Sequence, residues 1–147
     1  MIDIENRVFT TVSEAVEAEF PGIAIEGDYP ETFAVFPAMS INEIGNLPLW
    51  DTMDEQLHEH HALVNYEINV YCNDQFDRKG TCKAILKAAD AAMHGMKFVR
   101  TTGPRRLPNV DRSIYRMYAR YSAVVSEGEE MENGTILHRM YRNKYRG

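Results

Sequence analysis

From Val8 to Asp77 the chain contains neither lysine nor arginine, and over its whole length the acids outnumber the bases to leave a net charge of −6. That acidic balance argues against nucleic acid as the main partner. Cysteine is scarce as well. Cys72 and Cys82 are the only two, ten residues apart. The opening residues, Met1 to Glu5, are acidic where a secretory signal would be basic. Cytosolic folding and reduced thiols are therefore expected, with Cys72 at a strand end and Cys82 on a helix. No apolar run approaches the roughly 20 residues of a membrane span, so no membrane partner is expected. Gly-x-Ser-x-Gly, a phosphate loop and a dinucleotide fingerprint are all missing, and so is any internal repeat.

What is present is a charge divided by halves. The first sixty-one residues hold thirteen carboxylates against Arg7 alone, a net −12. Residues 62–147 hold nine acids and fifteen bases, a net +6. Opposite potentials on one small body attract like copies head to tail, and such a heterologous contact closes into a ring or runs on as a filament. Folding could equally interleave the two halves on one surface. At 147 residues, 44% hydrophobic and 26% charged, the chain suits one globular domain, 1–147.

Hydrophobic spacing gives the elements. Asp3 can cap a helix in which Ile4, Val8, Val12, Ala15, Val16 and Phe20 make the apolar stripe, and Pro21-Gly22 ends it. Ile23 to Ile25 predicts a short strand, and Phe33 to Met39 a second, with Pro37 pointing to an edge or bulge. Residues 40–58 have no clean period and predict a long loop or hairpin excursion. Residues 62–72 alternate: Ala62, Val64, Tyr66, Ile68, Val70 and Cys72 to one side, Leu63, Asn65, Glu67, Asn69 and Tyr71 to a half-wet other. Asp74 or Asp77 caps a second helix whose apolar face is Cys82, Ile85, Leu86, Ala89 and Met93, with Gly95 at its exit. Met96 to Arg100 returns as a strand, broken by Gly103-Pro104. Ser113 to Val125 is the last long strand, with Tyr115, Met117, Ala119, Tyr121, Ala123 and Val125 inward. Glu127 to Glu130 predicts a solvated turn, and 133–147 a basic tail. The expected fold is α+β: an antiparallel sheet of four to five strands with two helices on one face. Tyr118, Val124, Leu63 and Tyr71 would then form an apolar outer face, open or covered by another subunit.

Chemistry is sparse. His58, Glu59, His60 and His61 could offer zinc ligands, but the histidines sit at i, i+2 and i+3, not four apart as on a zincin helix. A surface histidine cluster accounts for them, and a small metal-dependent enzyme built on His58 to His61 is the minor alternative. Cys82 near a helix start could be an activated thiol, though a core position suits it better. No catalytic residue, metal or cofactor is expected, and no enzyme activity. The basic residues Arg100, Arg105, Arg106, Arg112, Arg139, Arg142, Lys144 and Arg146, interleaved with tyrosines, suit either a protein interface or phosphate contacts.

Residues 62–125 resemble the tail terminator, or tail completion, proteins of long-tailed bacteriophages. The resemblance lies in the strand Val64-Asn65-Tyr66-Glu67-Ile68-Asn69-Val70-Tyr71, the capped helix after it, Gly95 to Arg100, the turn Pro108 to Asp111, and the strand Ile114 to Tyr121. With the opening helix and two short strands it covers roughly 120 residues. It implies a ring, usually of six, that caps the tail tube, ends its polymerisation and faces the head connector, with DNA passing through the lumen. Its partners would be itself, the tail tube protein and the connector, and its location the virion, after assembly in the host cytoplasm. Another head–tail connector or neck subunit would share this build. Asp51, Asp54, Glu55 and Glu59 of one copy are expected to meet Arg105, Arg106, Arg112, Arg116, Arg139, Arg142 and Lys144 of a neighbour or neck partner.

Overall fold

The computed structural model describes residues 1–28 and 33–126. The solvated turn at 127–130, the basic tail and Arg139, Arg142 and Lys144 therefore lie outside the described residues. The elements run α1 (Glu5–Glu19), β1 (Ala24–Glu26), β2 (Ala38–Pro48), a single 3-10 turn (Trp50–Thr52), β3 (His61–Cys72), α2 (Arg78–Gly95), β4 (Val99–Leu107) and β5 (Tyr115–Ser126). The class is α+β, as the alternation of periods predicts. The five strands lie in the order β1-β2-β3-β5-β4. Neighbours pair antiparallel except β1, which runs parallel to β2, so the sheet is mixed and not purely antiparallel.

Both helices deliver apolar side chains to one sheet face. Val8, Val12 and Val16 of α1 and Cys82, Ile85, Leu86, Ala89 and Met93 of α2 are buried in the same core as Ala62, Val64, Tyr66, Ile68, Val70 and Cys72 of β3. Burying the valine, leucine, isoleucine and methionine side chains among them stabilises the fold by about 1.5–3 kcal/mol each. The Tyr66 and Phe98 rings meet edge to face with centroids 5.5 Å apart. Asp77 caps α2 by accepting the Gly80 amide at 3.0 Å. Asp3 does not cap α1 as expected: Ile4 holds the N-cap position, while the Asp3 carboxylate accepts the Glu5 amide. Gly22 takes a positive φ of 86° just beyond α1. At the exit of α2 it is Lys97, with φ 72°, and not Gly95, that adopts the left-handed conformation.

Three predicted elements change. The second strand begins only at Ala38, and Pro37 stands just outside it, its carbonyl accepting the Ala24 amide at 3.2 Å. Residues 40–48 belong to that strand and not to an excursion, leaving a connection of 49–60. A bulge between Glu43 and Gly45 shifts the phase of the alternation, so the strand shows no single period. Residues 99–107 continue as one strand across Gly103-Pro104. Its register slips twice, between Arg100 and Thr102 and between Thr102 and Arg105. Proline is tolerated there because β4 is an edge strand whose outer side needs no ladder donor. Gly103 has φ 88°, and any side chain on it would collide with the Tyr118 carbonyl and Ala119.

The outer sheet face also differs from expectation. Glu67, Asn69 and Tyr71 are buried, as are Ser40, Asn42 and Val124, and Leu63 and Tyr118 are half-buried. Its centre is polar instead of apolar or wet. Arg120 Nε donates to Glu67 Oε2 at 2.8 Å and Arg116 Nε to Asn69 Oδ1 at 3.0 Å. Asn69 donates to Glu67 at 2.9 Å, Asn42 to the Ser40 hydroxyl at 3.1 Å, and the Ser122 hydroxyl to Asn65. Each guanidinium group lies over a tyrosine ring, Arg116 over Tyr71 of β3 and Arg120 over Tyr118 of its own strand.

Candidate assembly surfaces

Strand order decides where the charge goes. Elements of the acidic first half, α1, β1 and β2, occupy one side of the sheet; β5, β4 and α2 occupy the other. On the first side Glu14, Glu17, Glu19, Glu26 and Asp28 are exposed. On the second, Lys83, Lys87, Lys97, Arg100, Arg105 and Arg106 are exposed. The acids of the second half are turned to local work: Asp77 caps α2, Asp74 accepts the Phe76 amide, Asp111 accepts Ser113, Asp90 holds Arg100, and Glu67 holds Arg120. Among the described residues the exposed acids of α1 and β1 thus lie across the sheet from the exposed bases of α2 and β4.

A second separation runs along the strands. The connection 49–60 carries Asp51, Asp54, Glu55 and Glu59 at the end of the sheet where β2 finishes and β3 starts. Arg105, Arg106, Arg112 and Arg116 gather at the opposite end, where β4 finishes and β5 starts. The twelve residues of β3 put about 36 Å between those ends at roughly 3.3 Å per residue. These four acids and these four arginines thus lie at opposite ends of the sheet.

The acidic loop is shaped by its own hydrogen bonds. Thr52 donates its amide and its hydroxyl to the Leu49 carbonyl, the latter at 2.7 Å. Asp54 Oδ1 accepts the amides of His58 at 2.8 Å and Gln56 at 3.0 Å, and Leu57 takes a φ of 61° to close the turn. Those backbone donors, His58 first, hold the Asp54 carboxyl below the ordinary range. Glu59 pairs with the terminal amine of Met1 at 3.3 Å, which ties the loop to the chain start.

Two histidines of the cluster stay together and the third leaves it. His58 and His60 stack edge to face at 4.8 Å, His60 Nε2 lies 3.4 Å from Asp54 Oδ2, and His61 is buried at the start of β3. Among the described residues no group of three or more His, Cys, Asp and Glu side chains is placed to hold a metal ion. Cys72 and Cys82 are buried free thiols. The neighbouring Cys72 thiol and burial push Cys82 upward, away from thiolate reactivity.

At the basic end Arg106 lies over the Tyr115 ring at 4.8 Å, and Arg78 donates to the carbonyls of Arg112 and Ser113. Ser113 donates both amide and hydroxyl to Asp111, lowering that carboxyl's pKa.

Two features were not identified from sequence. Trp50, the only tryptophan, is 80% exposed on the acidic loop. A cleft of about 210 Å³ between α2, β4 and β5 is lined by Lys83, Lys87 and Arg100 together with Leu86, Pro104 and Tyr121. The signal for Trp50 was available in principle, since a lone aromatic among carboxylates has no apolar period to join.

No protein-family model matches the chain, and no curated protein matches it. No helix among the described residues is long and apolar enough to cross a membrane.

Proposed function

We propose that this chain is a structural subunit of a ring at the head–tail junction of a long-tailed bacteriophage, a tail terminator. The observation that carries the reading is the double segregation of charge. The exposed acids of α1 and β1 lie across the sheet from the exposed bases of α2 and β4, and the carboxylates of 51–59 lie at the opposite strand end from Arg105, Arg106, Arg112 and Arg116, a placement that suits contacts between copies. The sequence resemblance over residues 62–125 supplies the rest. In this reading the ring, of six copies, caps the tail tube, stops its growth, and offers its other face to the connector. DNA passes through the lumen, and no residue performs covalent chemistry.

Rim ion pairs contribute only about 0–1 kcal/mol each. The burial of exposed apolar side chains such as Leu47, Trp50, Leu57 and Val110 must therefore supply the ring's stability, while charge supplies its register and speed. Added salt is expected to slow assembly more than it loosens assembled rings. Sedimentation and negative-stain imaging of purified protein should show annular particles, and mixing with tail tube protein should place them at tube ends. A protein that stays monomeric at high concentration and within finished virions would end this reading. Rings that bind a connector and ignore tube protein would make it a neck subunit instead.

A further inference from the structure

We infer that Trp50 is the knob of the contact between copies, and that it inserts into the cleft between α2 and β4 of a neighbouring chain. The inference rests on the ring reading and names its interface. Tryptophan is on average a highly buried residue, and an exposed one belongs to the residue types that dominate interface energetics. Here the only tryptophan stands 80% exposed on the 3-10 turn Trp50–Thr52, with Leu47 62% and Leu57 74% exposed nearby in sequence. The turn is fixed by the Leu49 carbonyl, which accepts from Thr52, so the indole is presented from an ordered base.

The cleft complements it in apolar lining and charge. Leu86, Pro104, Ala119 and Tyr121 line it with mostly apolar surface. Asp90, the one acid lining it, is already engaged: it accepts from Arg100 at 3.1 Å and from the Tyr121 hydroxyl at 2.9 Å. Lys83 and Lys87 are exposed at its mouth one helical turn apart. A guest with an aromatic body and flanking carboxylates fits such a mouth, and Trp50 with Asp51 and Glu55 is that guest. Within one chain the two do not meet: Trp50 stands exposed on the loop after β2, and the cleft lies at the β4 edge without it. The contact is therefore heterologous, one knob and one cleft per copy, as a closing ring requires.

Such a contact has a diagnostic test. Trp50→Ala removes the knob and leaves the cleft; Lys83→Glu with Lys87→Glu spoils the mouth and leaves the knob. All three positions are exposed, and unchanged far-UV circular dichroism and melting temperature would verify the fold of each variant. Sedimentation should show each variant alone weakened in self-association by at least about 30-fold, the scale of a hot-spot residue. An equimolar mixture should form one-to-one pairs and nothing larger, because only one intact contact is available. If wild type forms rings and Trp50→Ala forms them equally well, or the mixture yields no pairs, the knob-and-cleft assignment is overturned and the ring reading stands. If wild type never assembles, the ring reading fails first.

Discussion

Glu67 and Ile68 are adjacent on β3, both buried, and held by opposite kinds of chemistry. Ile68 points into the layer beneath the helices and is fully buried among aliphatic and aromatic side chains. Glu67 points the other way, 7% exposed, into a lattice of amides, hydroxyls and guanidinium groups. The inner face is stabilised by area and shape, which tolerate no cavity. The outer face is stabilised by register, because each polar group needs its partner at the right rung: Asn65 opposite Ser122, Glu67 opposite Arg120. One strand therefore supplies cohesion on one side and strand alignment on the other.

The comparison is tested most severely on the inner face. Ile68→Ala should cost about 2–5 kcal/mol through lost burial and the cavity left behind, read as a fall in melting temperature or denaturant midpoint. A loss under about 1 kcal/mol would mean that the helices do not pack on β3 as described. Next in size is Arg120→Ala on the outer face, at about 1–3 kcal/mol, because it removes a charge-assisted donor from a buried carboxylate. A double-mutant cycle with Glu67→Gln should show coupling between the two positions. Independent, additive losses would show that the outer lattice does not act through this pair.

The inner face was the more legible of the two. Ala62 to Cys72, Tyr115 to Val125 and Cys82 to Met93 keep unbroken periods of two or of helical spacing, and every inward residue named from those periods in the second half is buried or half-buried. Periods fail where the backbone departs from regularity. The bulge at Glu43 and Gly45 hid the far half of β2, and Gly103-Pro104 looked like a break because edge position cannot be read from composition. Nor can strand direction, and β1 pairs parallel with β2 although the two follow one another in the chain. The outer lattice needed register, which sequence does not state. Asp51, Asp54, Glu55 and Glu59 were recognisable as one acidic group and Arg105, Arg106, Arg112 and Arg116 as a basic one. That they occupy opposite ends depends on which strands pair, and the cleft beside Lys83 and Lys87 depends on how α2 crosses β4 and β5.

The apolar inner face meets polar surroundings at Glu43, which sits opposite Tyr66 on the inner side of β2. Its carboxylate accepts from the Tyr66 hydroxyl and from Asn46, both at 3.3 Å. Burial, and then the charge of Glu5, push its pKa above the ordinary carboxylate value. A folded state that holds a proton more tightly than the unfolded chain loses stability as pH rises through the interval between the two values, and the cost is fully present above the folded one. Glu43→Gln keeps an oxygen for Tyr66 and Asn46 and removes the charge. At pH 7 it should therefore stabilise, by less than about 1 kcal/mol because the site is largely open to solvent screening. The gain should fade by about pH 4, where the wild-type carboxyl is protonated too. Melting curves at the two pH values measure it. A destabilised variant at pH 7, or a gain that does not shrink in acid, would mean that the carboxylate is welcomed there as an ion, and that the inner face tolerates charge as the outer face does.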